Sequence, residues 1–129
     1  MNSPKNAIQK AVYGIIAPLI APVKVYDEVP QGAGFPYVVL GDMNELPWNT
    51  KTTEGREVSF AIHTWADYKG YKEATEMLGE IISTLLSVPI APVDFRVKSI
   101  VLEISTSNRD KVSGTRHGVA LFKMYIEED

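Results

Sequence analysis

The chain has 129 residues, of which 45% are apolar and 22% charged, and its formal net charge is −3. This composition is typical of a globular domain with its own core, so we expect one domain over residues 1–129. Cysteine is absent, which excludes disulfides, thiolate metal sites and cysteine nucleophiles and suits a reducing cytoplasm. The acidic balance argues against tight nucleic-acid binding, and no apolar run approaches the roughly 18 to 20 residues that a membrane span needs.

The N-terminal segment predicts an amphipathic helix. Ser3 is a suitable cap and Pro4 a suitable first helical residue, because proline loses no hydrogen bond there. Apolar residues then recur at three- and four-residue steps: Ile8, Val12, Ile15, Ile16 and Leu19. Either Pro18 or Pro22 is expected to end the helix.

Three strands are predicted next. A short strand over residues 24–27 leads into a loop in which Gly32 and Gly34 permit positive φ values. Residues 37–43 predict a buried strand, and residues 45–56 a long polar connection. From residue 58 to residue 66 apolar and other side chains alternate, which indicates a strand with Phe60 and Ile62 on one face.

The remaining chain predicts a helix followed by a hairpin. The helix begins after the candidate cap Asp67 and stops before Pro89. Two strands over residues 97–107 and 117–127 are joined by a loop. The apolar residues that share one face of these strands are Ile100, Leu102, Ile104, Ala120, Phe122, Met124 and Ile126. The order αβββαββ predicts an α+β fold, a mainly antiparallel sheet with two helices packed on it.

The second face of this sheet is unusually apolar. If both helices cover the first face, the second presents Ala61, Trp65, Val101, Val119, Leu121 and Tyr125. Large exposed apolar patches mark association surfaces, which makes Trp65, Val119, Leu121 and Tyr125 the candidate subunit-interface residues. The alternative is that the helices sandwich the sheet and bury both faces within one chain.

No motif of catalysis, metal binding or cofactor binding is present. His63 and His117 have no HxxxH, HExxH or HxH partner for a metal, and no GxSxG marks a serine nucleophile. Gly32 and Gly34 lead into a strand and not into a helix N-terminus, which excludes a phosphate loop. We therefore expect no enzyme activity, no cofactor and no metal.

Two polar loops are candidate partner-binding or DNA-facing segments. Their candidate residues are Trp48, Lys51, Arg56, Arg109, Lys111 and Arg116. Surface loops on a rigid scaffold often carry recognition. The alternatives are solvated hairpin tips and a Trp48 that folds back on the core.

Three segments carry a resemblance to a known family: VPQGAGFPYVVLG at 29–41, GREVSFAIHTW at 55–65 and TRHGVALF at 115–122. In this order and spacing, after an amphipathic helix, they resemble the tail completion (tail terminator) proteins of long-tailed bacteriophages. The matching residues include Val29, Pro30, Gln31, Gly32, Phe35, Pro36, Tyr37, Gly55, Arg56, Glu57, His63, Trp65, Thr115, Arg116, His117, Gly118 and Phe122.

The resemblance implies a structural virion protein and no enzyme. It implies a hexameric ring of this chain at the head-proximal end of the tail tube, assembled in the host cytoplasm. Such a ring stops tube polymerisation, contacts the tail tube protein and docks to the head connector or stopper protein. DNA would pass through the lumen without tight binding, and no membrane is involved. A neighbouring connector or adaptor ring is the nearest alternative, and a small ligand-binding or hydrolytic domain is a distant one.

Overall fold

The computed structural model describes residues 3–49, 54–67, 71–109 and 114–129. Its elements are α1 (Lys5–Ile20), β1 (Lys24–Tyr26), β2 (Tyr37–Asn49), β3 (Glu54–Ala66), α2 (Tyr71–Ser87), β4 (Phe95–Arg109) and β5 (Arg116–Glu128). The predicted α+β class and the predicted order αβββαββ are confirmed.

The five strands form one sheet in the order β1-β2-β3-β5-β4. β1 pairs with β2 in parallel, and the other three pairings are antiparallel. β3 and β5 lie side by side over nearly their whole length, from Gly55 opposite Glu127 to Ala66 opposite Arg116. This central pair fixes which side chains of the two strands share a face.

Both helices pack on the same face of the sheet. Phe60 and Phe122 lie opposite each other beneath the helices, with ring centroids 5.3 Å apart. The helical part of the core comprises Ile8, Val12, Ile16, Ile20, Met77, Leu78, Ile81 and Leu85. Because the apolar stripes of both helices join this one cluster, neither helix covers the other face of the sheet in the described part of the chain. The predicted alternative of a sheet sandwiched between helices is therefore wrong.

The junction between α2 and the sheet is unusually close. The buried hydroxyl of Thr64 donates a hydrogen bond of 3.1 Å to the carbonyl oxygen of Ala74. A β-carbon built on Gly118, the cross-strand partner of Thr64, would lie 2.6 Å from the Thr64 hydroxyl oxygen and 3.1 Å from a methyl carbon of Leu78. Only glycine lets the helix approach β5 this closely.

Several element boundaries differ from the predicted ones. α1 contains Pro18 and ends at Ile20, so Pro18 does not stop it. The predicted long connection over residues 45–56 is wrong, because β2 continues to Asn49 and β3 begins at Glu54. β1 pairs only with the first residues of β2, Tyr37 to Val39. Among the described residues, the second half of β2 therefore pairs with β3 alone and has a free outer edge. Proline is tolerated at such an edge, because no hydrogen bond to a second neighbour is lost, and Pro47 lies there.

Three β-bulges change the faces of the strands that contain them. One lies on β2 between Gly41 and Asn44, where Asp42 takes a φ of 52°. The other two lie on β4, between Val97 and Ser99 and between Leu102 and Ile104. A bulge inserts one extra residue, so the side chains after it point to the opposite face. The prediction that Ile104 shares the helix-covered face with Leu102 is therefore wrong.

Candidate functional site

The predicted interface residues lie together on the uncovered face of β3 and β5. Trp65 is opposite His117 across the two strands, Val119 is opposite His63, and Leu121 is opposite Ala61. These positions alternate with the buried Phe60, Ile62 and Phe122, so their side chains point away from the helices. Trp65, Val119, Leu121 and Tyr125 are all half-buried by their neighbours within the sheet.

The apolar surface extends over the flanking strands. On β4, Val101 and Ile104 are 45% and 51% exposed, and on β2, Leu46 is 57% exposed. We name this surface the open face, defined by Leu46, Trp48, Trp65, Val101, Ile104, Val119, Leu121 and Tyr125. It runs from β2 to β4 and combines half-buried aromatic side chains with exposed aliphatic side chains.

Trp48 belongs to the open face and not to a loop. It lies in β2 opposite Gly55, and its ring centroid is 4.9 Å from that of Tyr125. A β-carbon on Gly55 would come within 2.7 Å of the Trp48 ring and within 2.8 Å of the Ile126 carbonyl oxygen. The absence of a side chain at Gly55 leaves the space that the Trp48 indole occupies next to Tyr125.

Polar and charged groups surround Tyr125 on the open face. Lys123 lies 3.7 Å from a carboxylate oxygen of Glu57 and 3.3 Å from one of Glu103. A hydrogen bond to Glu57 raises the pKa of the Tyr125 hydroxyl, and a hydrogen bond to Glu103 raises the pKa of the Lys123 ammonium. These groups are solvated, so they act as a polar rim to the apolar surface more than as a source of stability.

The two histidines meet at one end of the open face. Nδ1 of His63 and Nε2 of His117 are 2.8 Å apart, and Nε2 of His63 is 3.3 Å from a carboxylate oxygen of Asp42. The indole of Trp65 stacks on the His117 ring, with centroids 3.7 Å apart and planes 7° apart. Sequence reasoning misses this chain of side chains, because it depends on the β3–β5 register and on the bulge at Asp42.

The histidine pair is arranged for a hydrogen bond and not for metal chelation. The ring centroids are 5.0 Å apart and the planes 14° apart. That centroid distance is about the 2.8 Å nitrogen separation plus one ring radius on each side, so the two nitrogens face each other head-on. Lone pairs on one axis cannot converge on a shared ion. Within the described residues, no three histidine or acidic side chains are placed to hold a metal.

The tautomers of the pair follow from the Asp42 contact. A carboxylate only accepts hydrogen bonds, so Nε2 of His63 carries a proton. In neutral His63, Nδ1 is then the acceptor, and Nε2 of His117 donates to it. Burial, and after it the charge of His63, lowers the pKa of His117 below its ordinary value.

The predicted loop residues that the structure describes lie within strands or at strand ends, not in loops. Arg56 is in β3 on the helix-covered face, where its Nε donates to Glu45 at 3.2 Å. Arg109 ends β4 and lies opposite Arg116, whose Nη1 donates to the carbonyl oxygen of Gly114 at 2.9 Å. Lys51 and Lys111 lie outside the described residues.

A groove of about 380 Å³ lies between α1 and the β1–β2 edge. Its walls include Gln9, Tyr13, Tyr26 and Asp27. It is formed by α1, which packs on the face opposite the histidines, so the histidine pair does not contribute to it. In the described parts of the chain, neither helix has the length and hydropathy needed to cross a membrane.

Residues 10–127 match the family described as tail completion protein gp17. The tail completion protein gp17 of Bacillus phage SPP1 is 25% identical over 130 residues, which cover 96% of this chain and 95% of that protein. The family match therefore extends over nearly the whole chain.

Two solved structures share the fold. A chain from the virion of a native gene transfer agent particle superposes with a TM-score of 0.82 at 24% identity, covering 98% of this chain and 99% of that one. The structure of the bacteriophage SPP1 gp17 protein gives a TM-score of 0.58 at 25% identity, covering 96% and 90%. The chain belongs to the tail completion protein gp17 family, a family of structural proteins of the bacteriophage tail.

Proposed function

We propose that six copies of this chain form a ring that caps the head-proximal end of a phage tail tube, ends tube polymerisation and docks to the head connector. The open face carries this proposal: aromatic and aliphatic side chains line it, and neither helix covers it. A head-to-tail contact between the open face and a different surface of the next copy generates a ring when the rotation between copies closes.

The size of the open face favours assembly on a template. Full burial of a half-exposed valine, isoleucine or leucine contributes on the order of 1 kcal/mol. Val101, Ile104 and Leu46 together would contribute roughly 3 kcal/mol, less than the about 4–15 kcal/mol that association costs. The aromatic anchors Trp65 and Tyr125 add to this, but a tail tube that binds several copies at once would supply the remaining free energy.

The two hairpins have their joined strand ends at opposite ends of the sheet. Asn49 of β2 is opposite Glu54 of β3 at one end, whereas Arg109 of β4 is opposite Arg116 of β5, beside Ala66, at the other. β3 has 13 residues, so these strand ends are about 40 Å apart. This separation suits a ring protein with one loop toward the tail tube and the other toward the head connector.

The net charge supports passage of DNA through the ring without tight binding. A charge of −3 supplies no general attraction for phosphates. The cationic side chains Arg56 and Arg116 are also engaged by protein oxygen atoms.

The ring is tested by native mass spectrometry and light scattering of the purified protein, alone and with tail tubes. We expect a hexamer, or a monomer that becomes a hexamer on tubes. Leu121→Ser and Ile104→Ser should abolish the hexamer, because they place a hydroxyl in the apolar contact. Leu86→Ser is the matched control, since Leu86 is 44% exposed on α2, away from the open face.

A protein that stays monomeric in the presence of tubes would contradict the ring. Equal loss of assembly in the Leu86→Ser control would show that the open face is not the contact. A ring that forms but leaves tube length unregulated, while tails fail to join heads, would favour the neighbouring connector or adaptor ring over the terminator.

A further inference from the structure

The histidine pair sits within the open face, beside the proposed anchors. His63 is opposite Val119, His117 is opposite Trp65, and the Trp65 indole covers the His117 ring. The contact proposed above would therefore bury both imidazoles further. These are the two histidines of the chain, so every histidine titration of the protein occurs at this one place.

We propose that the hydrogen-bonded side chains of Asp42, His63 and His117 make the subunit contact of the ring proton-dependent. The ring stays assembled near neutral pH and dissociates into subunits in mild acid. This inference rests on the proposed ring and names how its contact is regulated. The regulating event is the uptake of a second proton by the hydrogen-bonded pair.

The head-on geometry limits how many protons the pair accepts. With no extra proton, Nε2–H of His117 donates to Nδ1 of His63 over 2.8 Å. One added proton leaves a donor on one ring and a lone pair on the other, so the hydrogen bond survives. A second added proton places N–H groups on both facing nitrogens. The bond is then lost, and two cations face each other at the separation that the bond required.

The surroundings oppose the doubly protonated state. Asp42 is the acidic group that reaches the pair, and its side chain is 76% exposed, so solvent screens its support. The residues that face the pair from the strands without carrying a titratable charge are Val39, Trp65, Val119 and Asn108. The neighbouring Arg109 and Arg116 point to the other face of the sheet, because side chains alternate along a strand. Covering the pair with an apolar neighbour removes water from these cations, which costs free energy.

The sign of the pH effect follows from proton binding. A separated subunit exposes the pair to water and binds the second proton more readily than the ring does. Dissociation therefore takes up protons, and acid favours it. If each contact takes up about one proton, the subunit dissociation constant rises by up to roughly tenfold per pH unit, between the second pKa of the separated subunit and the lower second pKa of the ring.

The test measures the ring–subunit equilibrium at about pH 7.5 and about pH 5, a range that extends well below the ordinary histidine pKa and so toward the second protonation step. Sedimentation velocity reports the equilibrium of the ring alone, or of ring retained on tail tubes if the ring needs them. Circular dichroism at both pH values establishes that the subunits stay folded. His117→Gln keeps an N–H group near the position of Nε2 and cannot take up a proton.

We expect the wild-type ring to dissociate in acid and the His117→Gln ring to respond by less than about threefold over the same range. Glu80→Gln is the control, because it removes an exposed charge of α2, away from the open face, and should leave the wild-type pH response. If His117→Gln does not fold, His63→Gln supplies the same comparison. NMR titration of the imidazole protons in the wild-type subunit should show two separate steps.

The outcomes separate this inference from the proposed function. A ring with the same pH response in wild type and in His117→Gln overturns the proton-dependent contact and leaves the ring in place. Two independent, unshifted imidazole titrations overturn it as well. A protein that forms no ring at neutral pH, with or without tubes, contradicts the ring and this inference together.

Discussion

His117 couples the stability of the folded subunit to pH. Its folded-state pKa is lowered, so the unfolded chain binds more protons in the window below the ordinary value of 6.5. The contribution of His117 to the free energy of unfolding is complete above that value and declines as pH falls toward the lowered pKa. We expect His117→Asn to reduce the pH dependence between about pH 5 and pH 7. Urea unfolding followed by circular dichroism measures it, and an unchanged slope in the variant would contradict the prediction.

Neither histidine is expected to act in catalysis or to bind metal. At neutral pH, His63→Asn and His117→Asn should leave tail function largely intact, or alter it only as far as they alter folding. Tail assembly measured beside melting temperature tests this. A stoichiometric metal in the purified protein that is lost from a correctly folded double variant would refute it.

Among single residues, alternation along the chain predicts the face of Trp65, Leu121 and Tyr125 but not their neighbours. A side chain's face follows from local period, which a sequence displays. The contact between His63 and His117 depends on which residues of two strands 54 positions apart lie side by side. No local pattern encodes that register, so the histidine pair cannot be read from the sequence.

The close packing of α2 on the sheet depends on Gly118. We expect Gly118→Ala to destabilise the fold by about 1–3 kcal/mol, because its β-carbon would overlap the Thr64 hydroxyl and press on Leu78. The matched control is Gly79→Ala within α2, where a β-carbon meets no atom within 4 Å. That change should stabilise the helix by roughly 0.5–1 kcal/mol. Urea unfolding measures both, and equal effects of the two substitutions would contradict the packing argument.

The two hairpin turns are expected to carry partner recognition more than stability. Replacing residues 50–53 or residues 110–113 with a short glycine-containing turn should preserve a cooperative thermal transition, since the paired strands and both helices remain. It should impair tail capping or head joining, seen by electron microscopy as overlong tubes or as tails without heads. Full activity of both shortened proteins would place the recognition surface elsewhere.

Charge reversal at Arg109, Lys111 and Arg116 distinguishes two roles for the second turn. A salt-sensitive defect in head joining would indicate an acidic protein partner. Normal joining with slower DNA ejection would indicate a turn that faces the lumen. Charge reversal at Lys72, 87% exposed on α2, serves as the control for a general charge effect.

The order of the elements is predictable, because apolar residues recur at the helical or strand spacing in the buried parts of both helices and most strands. The outer half of β2 is not predictable by this route. Residues 44–49 pair with β3 but are largely exposed, so their sequence has no apolar alternation and suggests a loop. The bulge between Leu102 and Ile104 cannot be predicted from the sequence either. The one inserted residue turns Ile104 to the other face of the sheet, and no particular residue type or spacing indicates where it is inserted.

For the whole molecule, the acidic balance predicts weak interaction with DNA. We expect no measurable binding of duplex DNA at physiological salt, because nonspecific affinity comes from the release of counterions by cationic side chains. Fluorescence anisotropy of labelled duplex over a salt series measures it. Binding with a steep salt dependence would contradict the proposal that DNA passes without tight binding.

Trp48 and Trp65, the two tryptophans of the chain, both lie on the open face, and the described core contains neither. Indole emission depends on local polarity, so the intrinsic fluorescence of this protein reports on the face proposed to meet the next subunit. The ring stacked on Trp65 is His117, and a protonated imidazole in such contact quenches an indole. Intrinsic fluorescence would therefore report both proposed events. Association of copies would shift the tryptophan emission to shorter wavelength, and protonation of His117 would lower the emission intensity of Trp65.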